Sequence, residues 1–295
     1  MNNVAIIILH FGLLKNTLEC LKSIDKIIYK PKPTVFLVDN GTFELKKDTF
    51  KKFKIKINLI SNKSNLGFAG GMNSGIKKAV KENFDYYLLL NNDVLVKPQI
   101  IGELIKPFKK NYIGITGSLV TYYDNPNKLW FGGGELNRFF CFTRHKNINR
   151  PVNSDLKNHY TDFISGASMM IKKEVFKKCG LFEEEYFLYW EDVDFCQRAK
   201  NFGFKSYLIA KPLVMHRVSA SAGKEGTNKL SEIRAYYFAK NPFVFMKKQA
   251  YKGPNIVTGI TGQVFIRLPY YFLTLQNFRA MRKYFAGLRD GFKYI

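Results

Sequence analysis

Val4-Ala5-Ile6-Ile7-Ile8-Leu9 is an unbroken apolar run rich in β-branched residues, the pattern of a strand buried on both faces of a parallel sheet. His10-Phe11-Gly12 ends it, and from Asn16 to Ile28 the apolar positions Leu18, Leu21, Ile24 and Ile28 recur at helical spacing. A second run, Thr34 to Val38, stops abruptly at Asp39-Asn40-Gly41-Thr42. Strand, helix and strand in this order predict a right-handed βαβ unit. Ile55 to Ile60 alternates and reads as a third strand, and Tyr86 to Leu90 as a fourth, closed by Asn91-Asn92-Asp93. Between them the glycine-dense stretch from Asn62 to Ile76 opens a helix with apolar positions Ile76, Ala79 and Val80. Ligands of open parallel sheets bind beyond the carboxyl ends of the strands, which places His10, Phe11, Gly12, Asp39 and Asn40 at a candidate pocket edge.

The polar residues at those strand ends carry the candidate chemistry. Asp39 has two readings, a cap of its own turn through an Asx hydrogen bond, or an acceptor for a pyrimidine imide or a ribose hydroxyl. Amides exposed at the glycine-rich helix start suit a diphosphate, although the spacing fits neither of the two familiar phosphate-loop patterns. Asn91-Asn92-Asp93 is either a tight turn or a set of hard oxygen ligands for a divalent cation. Downstream, Tyr186-Phe187-Leu188-Tyr189-Trp190-Glu191-Asp192-Val193-Asp194-Phe195 sets three carboxylates within four residues of an aromatic-rich segment. Burying a carboxylate raises its pKa toward the useful range of a general base. The plainer alternative is a helix start with Glu191 and Asp192 on the positive end of its dipole.

A length of 295 residues allows one large α/β domain with an appendage, and the net charge of +24 asks for an anionic partner. Cys20, Cys141, Cys179 and Cys196 lie far apart without metal-like spacing, so free thiols in a reducing cytosol are expected. The first residues lack the cationic and apolar regions of a signal peptide. From Arg234 onward there are eleven Lys or Arg residues and one acid, interleaved with aromatics such as Tyr236, Phe245, Phe265 and Tyr270. The longest uncharged run there, Gly253 to Ile266, is too short and too broken by Pro and Gly to cross a membrane. Two placements stay open for this tail: on an anionic membrane surface, or packed on the catalytic domain or a second subunit.

Four pieces in one order, Val38-Asp39-Asn40-Gly41, Asn65-x-Gly67-Phe68-Ala69-Gly70-Gly71-x-Asn73, Leu89-Leu90-Asn91-Asn92-Asp93 and Glu191-Asp192-Val193-Asp194, resemble glycosyltransferase family 2. These are inverting enzymes of the GT-A fold, and the likeness is to the bacterial rhamnosyltransferase-like branch over roughly residues 4–220. It implies an α/β fold, a mainly parallel mixed sheet flanked by helices. A catalytic domain would occupy residues 1–225, with a nucleotide-sugar half to 97 and an acceptor half from 98, followed by a helical basic region at 226–295. By that resemblance His10, Phe11, Gly12, Asp39, Asn65, Gly67, Asn73, Asn91 and Asn92 bind the nucleotide-sugar. Asp93 and His216, the latter preceding a mobile-looking Ser219 to Gly223, hold Mg2+ or Mn2+. Asn91 departs from the pattern, standing where the family has an acid, so the metal site loses one charge.

Asp192 matches the catalytic base, supported by Glu191. Trp130, Gly166, Ala167, Trp190 and Asp194 fall on the acceptor side, and Gly132 to Gly134 reads as a flexible acceptor loop or a plain surface turn. Arg138 to His159 reads as a mobile loop. The implied reaction moves a sugar, with dTDP-L-rhamnose favoured over UDP-linked galactofuranose, galactose or glucose, to a glycan or lipid-linked glycan. It would take place on the cytoplasmic face of the membrane, with a homo-oligomer through the C-terminal region as an option. The competing classes are a basic nucleic-acid-binding protein, which leaves the acid-tipped strands unexplained, and an inactive sugar-binding relative, to which Asn91 alone points.

Overall fold

β1 (Val4–His10) is buried along its whole length, as an apolar run with no polar face requires. It lies between β2 (Thr34–Asp39) and β4 (Tyr86–Asn91), with β3 (Lys56–Ser61) beyond β2, all four parallel. The computed structural model describes residues 2–153, 155–217, 231–274 and 277–295. Helices α1 (Leu14–Ile24) and α2 (Gly67–Lys81) make the crossovers. The α1 helix starts two residues before the periodicity predicts and ends before Ile28, which is exposed.

After β5 (Val94–Val96) and α3 (Ile100–Ile105) the chain builds the other half of the sheet. The strands there are β6 (Ile113–Tyr122), β7 (Leu129–Phe131), β8 (Gly134–Asn137), β9 (Phe142–His145), β10 (His159–Thr161), β11 (Ser168–Lys172) and β12 (Lys205–His216). Between β11 and β12 run α4 (Lys173–Cys179) and α5 (Glu191–Asn201). The main sheet has the order β10-β12-β6-β11-β4-β1-β2-β3, with β5 on β12 and β7 on β6. β11 is antiparallel to both β4 and β6, while β6 and β12 are parallel. Strands β1, β2, β4, β6 and β12 therefore all end on one edge of the sheet, and β11 begins there.

Two expectations for the middle of the chain are corrected. Gly132 to Gly134 is no flexible loop: all three glycines are buried, and a Cβ on Gly134 would enter the Phe163 ring. The segment from Arg138 to His159 likewise holds regular structure, because β9 within it pairs with β8 in an antiparallel hairpin. Ser219 to Gly223 and the boundary expected at 225 lie outside the described residues.

The tail folds as α6 (Glu232–Lys248), α7 (Pro254–Thr261), α8 (Leu268–Thr274) and α9 (Phe278–Phe292). The α6 helix joins the core of the sheet domain, burying Ala239, Phe243, Val244, Phe245 and Met246. Burial of each large side chain stabilises by about 1.5–3 kcal/mol relative to exposure. Gly287 and Gly291 let α9 lie close along α6, since a Cβ on Gly287 would collide with the Tyr236 carbonyl. Much of the aromatic tail thus packs on the sheet domain, whereas Phe265, Tyr270, Phe272 and Phe278 stay exposed. No described helix is long and apolar enough to cross a membrane.

Candidate functional site

The β2 strand ends on Asp39, which is buried and hydrogen-bonded within its own turn. Its Oδ1 accepts from the Thr42 amide at 2.8 Å and the Thr42 hydroxyl at 2.7 Å, and Oδ2 accepts from the Leu45 amide at 3.3 Å. Burial pushes the carboxyl up, but the Thr42 and Leu45 hydrogen bonds and nearby His10 outweigh it and hold Asp39 below its ordinary value. The turn-capping reading therefore describes Asp39, with Oδ2 having room for a further donor. Beside it in register, His10 is buried and its Nδ1 lies 2.7 Å from the Thr17 hydroxyl. The Asn92 amide donates to the same hydroxyl at 2.9 Å and to the Phe11 carbonyl at 3.3 Å. Phe11 itself is 53% exposed and Gly12 turns the chain at φ +92°, so a ring face stands free at the edge.

The glycine-rich stretch serves the fold more than its composition announces. Asn40, buried after β2, donates from Nδ2 to Asn65 Oδ1 at 2.9 Å and to the Gly67 carbonyl at 3.0 Å. Its Oδ1 accepts from Asn62 and from the Leu66 amide. Asn65 in turn accepts from the Gly67 amide at 2.9 Å. The next amide, on Phe68, donates to the Phe187 carbonyl at 2.6 Å. A Cβ on Gly67 (φ +71°) would strike that same carbonyl, and Cβ atoms on Gly71 and Gly75 would enter Leu9 and Ile7. Glycine is needed here so that α2 can close on β1 and on the segment before α5. Asn73, expected along a donor, instead donates to the Phe182 carbonyl and to Glu184, both at 2.9 Å, and accepts from the Phe182 amide. Every polar atom of its side chain is used to anchor that segment.

Beyond β4, Asp93 is buried with Oδ1 3.1 Å from His216 Nε2, at the end of β12. The other ring nitrogen of buried His216, Nδ1, has no hydrogen-bond partner among the described residues. This imidazole and carboxylate offer one N and one O donor of the kinds a divalent cation takes, and among the described residues no third His, Cys, Asp or Glu joins them. Trp130 covers it, its ring 4.4 Å from that of His216 at 79°. Trp130, expected on the acceptor side, thus sits over the Asp93–His216 pair. His145, which the sequence placed in a mobile loop, is wedged edge-on against Trp130 with its Nδ1 3.3 Å from the Trp130 carbonyl. Burial pushes His145 down to about 4, so the ring beside His216 is neutral at pH 7.

The last part of the edge is the start of α5. Gly166, whose missing Cβ leaves room for the Phe68 ring, donates its amide to Asp192 Oδ2 at 3.0 Å. The neighbouring Ala167 carbonyl accepts from the Asn91 amide at 3.2 Å, so Asp192 and the Asn91-Asn92-Asp93 turn are joined through two adjacent residues. Burial raises the Asp192 pKa against the opposing hydrogen bonds from Gly166 and Val193. Glu191 is buried with Oε2 unpartnered, and burial together with the Asp192 charge drives its pKa well above the ordinary range. Within the pair Glu191 keeps its proton while Asp192 is the more readily ionised.

Two acceptor-side expectations are corrected here. Asp194 is wholly buried and taken by Arg198 Nε at 2.7 Å and Gln249 at 2.9 Å, so it braces α5. Trp190 is buried against Phe245 of α6, ring centroids 5.0 Å apart. The turn ahead of α5 is strained: Phe187, Tyr189 and Trp190 all have positive φ, at 58°, 67° and 75°. Bulky residues held there cost on the order of 1–3 kcal/mol each and persist only where surroundings over-determine them.

Asp39, the Asn91-Asn92-Asp93 turn, Gly166, Asp192 and His216 consequently line one edge of one sheet. Comparison with known proteins bears on what that edge does. The profile of the family described as Glycosyltransferase like family 2 matches residues 2–234. Among curated proteins, the dTDP-rhamnosyl transferase RfbF of Shigella flexneri is 24% identical over 238 residues, 77% of this chain and 76% of that one. The low-salt glycan biosynthesis hexosyltransferase Agl10 of Haloferax volcanii is 30% identical over 152 residues, 49% of this chain and 46% of its own. Among solved structures, S. aureus TarS 1–349 superposes with a TM-score of 0.62 at 13% identity, over 99% of this chain and 81% of that one. The mannosyltransferase PcManGT of Pyrobaculum calidifontis, in complex with GDP-Man and Mn2+, gives 0.59 at 14% identity, over 99% and 75%.

Proposed function

This chain belongs to the glycosyltransferase like family 2 and is a glycosyltransferase, and from that premise we propose that it is an inverting one. It transfers L-rhamnose from dTDP-L-rhamnose to a hydroxyl of a glycan or lipid-linked glycan in a single displacement. One observation carries this reading: the Asp93–His216 pair and the amide-held Asp192 stand on the same edge, linked through Asn91 and Ala167. The rhamnosyl donor is favoured by the relative that aligns over most of the chain, a dTDP-rhamnosyl transferase. UDP-linked galactofuranose, galactose or glucose are the alternatives in a donor screen. Nucleoside diphosphate release from each donor, with Mn2+ and with EDTA, tests the assignment. Turnover with UDP-sugars and none with dTDP-L-rhamnose would overturn the donor.

Each residue then has a task. Asp192 takes the proton of the acceptor hydroxyl as it attacks the anomeric carbon, with Gly166 fixing the orientation of its carboxylate. Asp93 and His216 would hold Mg2+ or Mn2+, and the Asn91 side-chain oxygen, in the same turn, would be a neutral ligand. The cation, when bound, neutralises the charge growing on the departing nucleoside diphosphate. Phe11 offers its exposed ring to the base, and Asn92 and His10 set the position of that loop.

The raised pKa of Asp192 has a consequence for pH dependence. A base must be ionised, so kcat/KM is expected to fall as pH drops through a value above the roughly 3.9 of an ordinary aspartate. A pH profile with its acid limb at or below that ordinary value would contradict the burial argument.

The exposed Phe265, Tyr270, Phe272 and Phe278, set among the basic residues of the tail, fit a surface of anionic lipid. Co-sedimentation with vesicles containing phosphatidylglycerol, weakened by salt, is the expected result. Equal sedimentation with neutral vesicles, or none at all, would leave the tail a purely structural element.

A further inference from the structure

The strained turn that presents Asp192 is held from outside the sheet domain. Asn241, on α6 and fully buried, donates its side-chain amide to three carbonyls of that turn: Tyr186 at 3.0 Å, Leu188 at 2.8 Å and Tyr189 at 2.8 Å. The remaining carbonyl, that of Phe187, accepts from Phe68 at the start of α2. From residue 186 to 189 every backbone carbonyl is therefore held, and one side chain holds three of them. Rings of α6 lie against the same turn, Tyr237 stacked on Phe187 at 5.2 Å and Phe238 on Tyr189 at 4.5 Å. Residues 237, 238, 241 and 245 share one face of the helix. The family match ends at residue 234, within the first turn of α6, so this clamp lies beyond what the family resemblance covers.

We propose that Asn241 is a positioning residue for transfer: it fixes the aromatic turn 186–190 in its left-handed geometry and through it the carboxylate of Asp192. The proposal rests on Asp192 being the base. A primary amide suits the place because only an NH2 group at the end of a short stem brings two protons to three converging carbonyls. A hydroxyl supplies one proton and an aspartate none, and the latter would set negative charge against three carbonyl oxygens. Without the clamp the turn is free to leave positive φ, and Asp192 moves relative to the Gly166 amide and the Asp93–His216 pair.

The test uses the full chain. Asn241→Ser is expected to lower kcat ten- to a hundredfold with the donor KM within about twofold, and Asn241→Gln, which keeps the NH2, to recover part of the loss. Tryptophan fluorescence in a Trp130→Phe background reports Trp190 alone, and its emission should shift in Asn241→Ser whether or not turnover is measurable. A folded Asn241→Ser protein with wild-type kcat, or with unchanged Trp190 emission, overturns the proposal, as does a loss confined to KM. Asp192→Asn assayed in parallel separates the two readings. If it turns over normally the base assignment fails. If it is inactive while Asn241→Ser is not impaired, only the clamp fails.

Discussion

Asp192→Asn is expected to lower transfer by about 10²–10⁴-fold while leaving donor affinity within a few fold, the range that a positioned general base contributes. Asn is nearly isosteric with Asp, and its carbonyl oxygen can still accept from the Gly166 amide, which lies 3.0 Å from Oδ2 in the native chain. The fold around Gly166 and Ala167 should therefore survive, and what is lost is the ability to take a proton. Glu191 offers no substitute. It is buried, its pKa is driven well above the ordinary range by burial and by Asp192, and it has no bond that points it at the edge. Isothermal titration of the donor and single-turnover release of nucleoside diphosphate measure the two quantities separately. Wild-type turnover in the variant would remove Asp192 from the mechanism.

Asp93→Asn and His216→Ala are expected to cost at least 100-fold in activity at limiting Mn2+, since groups that merely support a metal ligand already contribute about 10–100-fold. A cation held there would meet little negative charge, because Asn91 would supply a neutral oxygen where the resemblance implies an acid. Removing the Asp93 carboxylate leaves no anionic ligand from that turn. Excess Mn2+ should recover part of the activity of Asp93→Asn, whose amide oxygen can still coordinate, and less of His216→Ala, which also removes the ring against which Trp130 packs. Metal titration of turnover, with thermal denaturation as a check on folding, distinguishes weakened cation binding from collapse of the Trp130–His145–His216 cluster. Equal metal response in both variants and the native chain would show that this pair is not the cation site.

The linear chain announces the strands and the acids at their tips. Apolar runs such as Val4 to Leu9 and Tyr86 to Leu90 can only be buried on both faces, and a polar residue that follows one at once must stand on the sheet edge. That reasoning placed Asp39 and Asp93 at strand tips, whereas Asp192 stood out as an acid set among aromatics and His216 through the resemblance alone. Asn73 and Asp194 are engaged otherwise than expected, for one shared reason. Each looked like a free polar group in its local stretch, and each is held by a partner far away: Asn73 by Phe182 and Glu184, Asp194 by Gln249. His145 lay in a polar, charged stretch that carries no sign of the hairpin burying it, because the pairing of β8 with β9 depends on which faces the surrounding strands leave open.

By itself, then, the sequence determined the parallel half of the sheet, the edge on which chemistry is placed and the class of residues found there, because periodicity and burial are local properties of the chain. Tertiary structure alone decided how that edge is held. Asn241 reaches across 55 residues to the Tyr186 carbonyl, and no pattern within α6 marks an asparagine as the partner of a strained turn. Hydrogen bonds between distant segments are chosen by where packing brings the backbone, and that is settled only once helix and sheet have met.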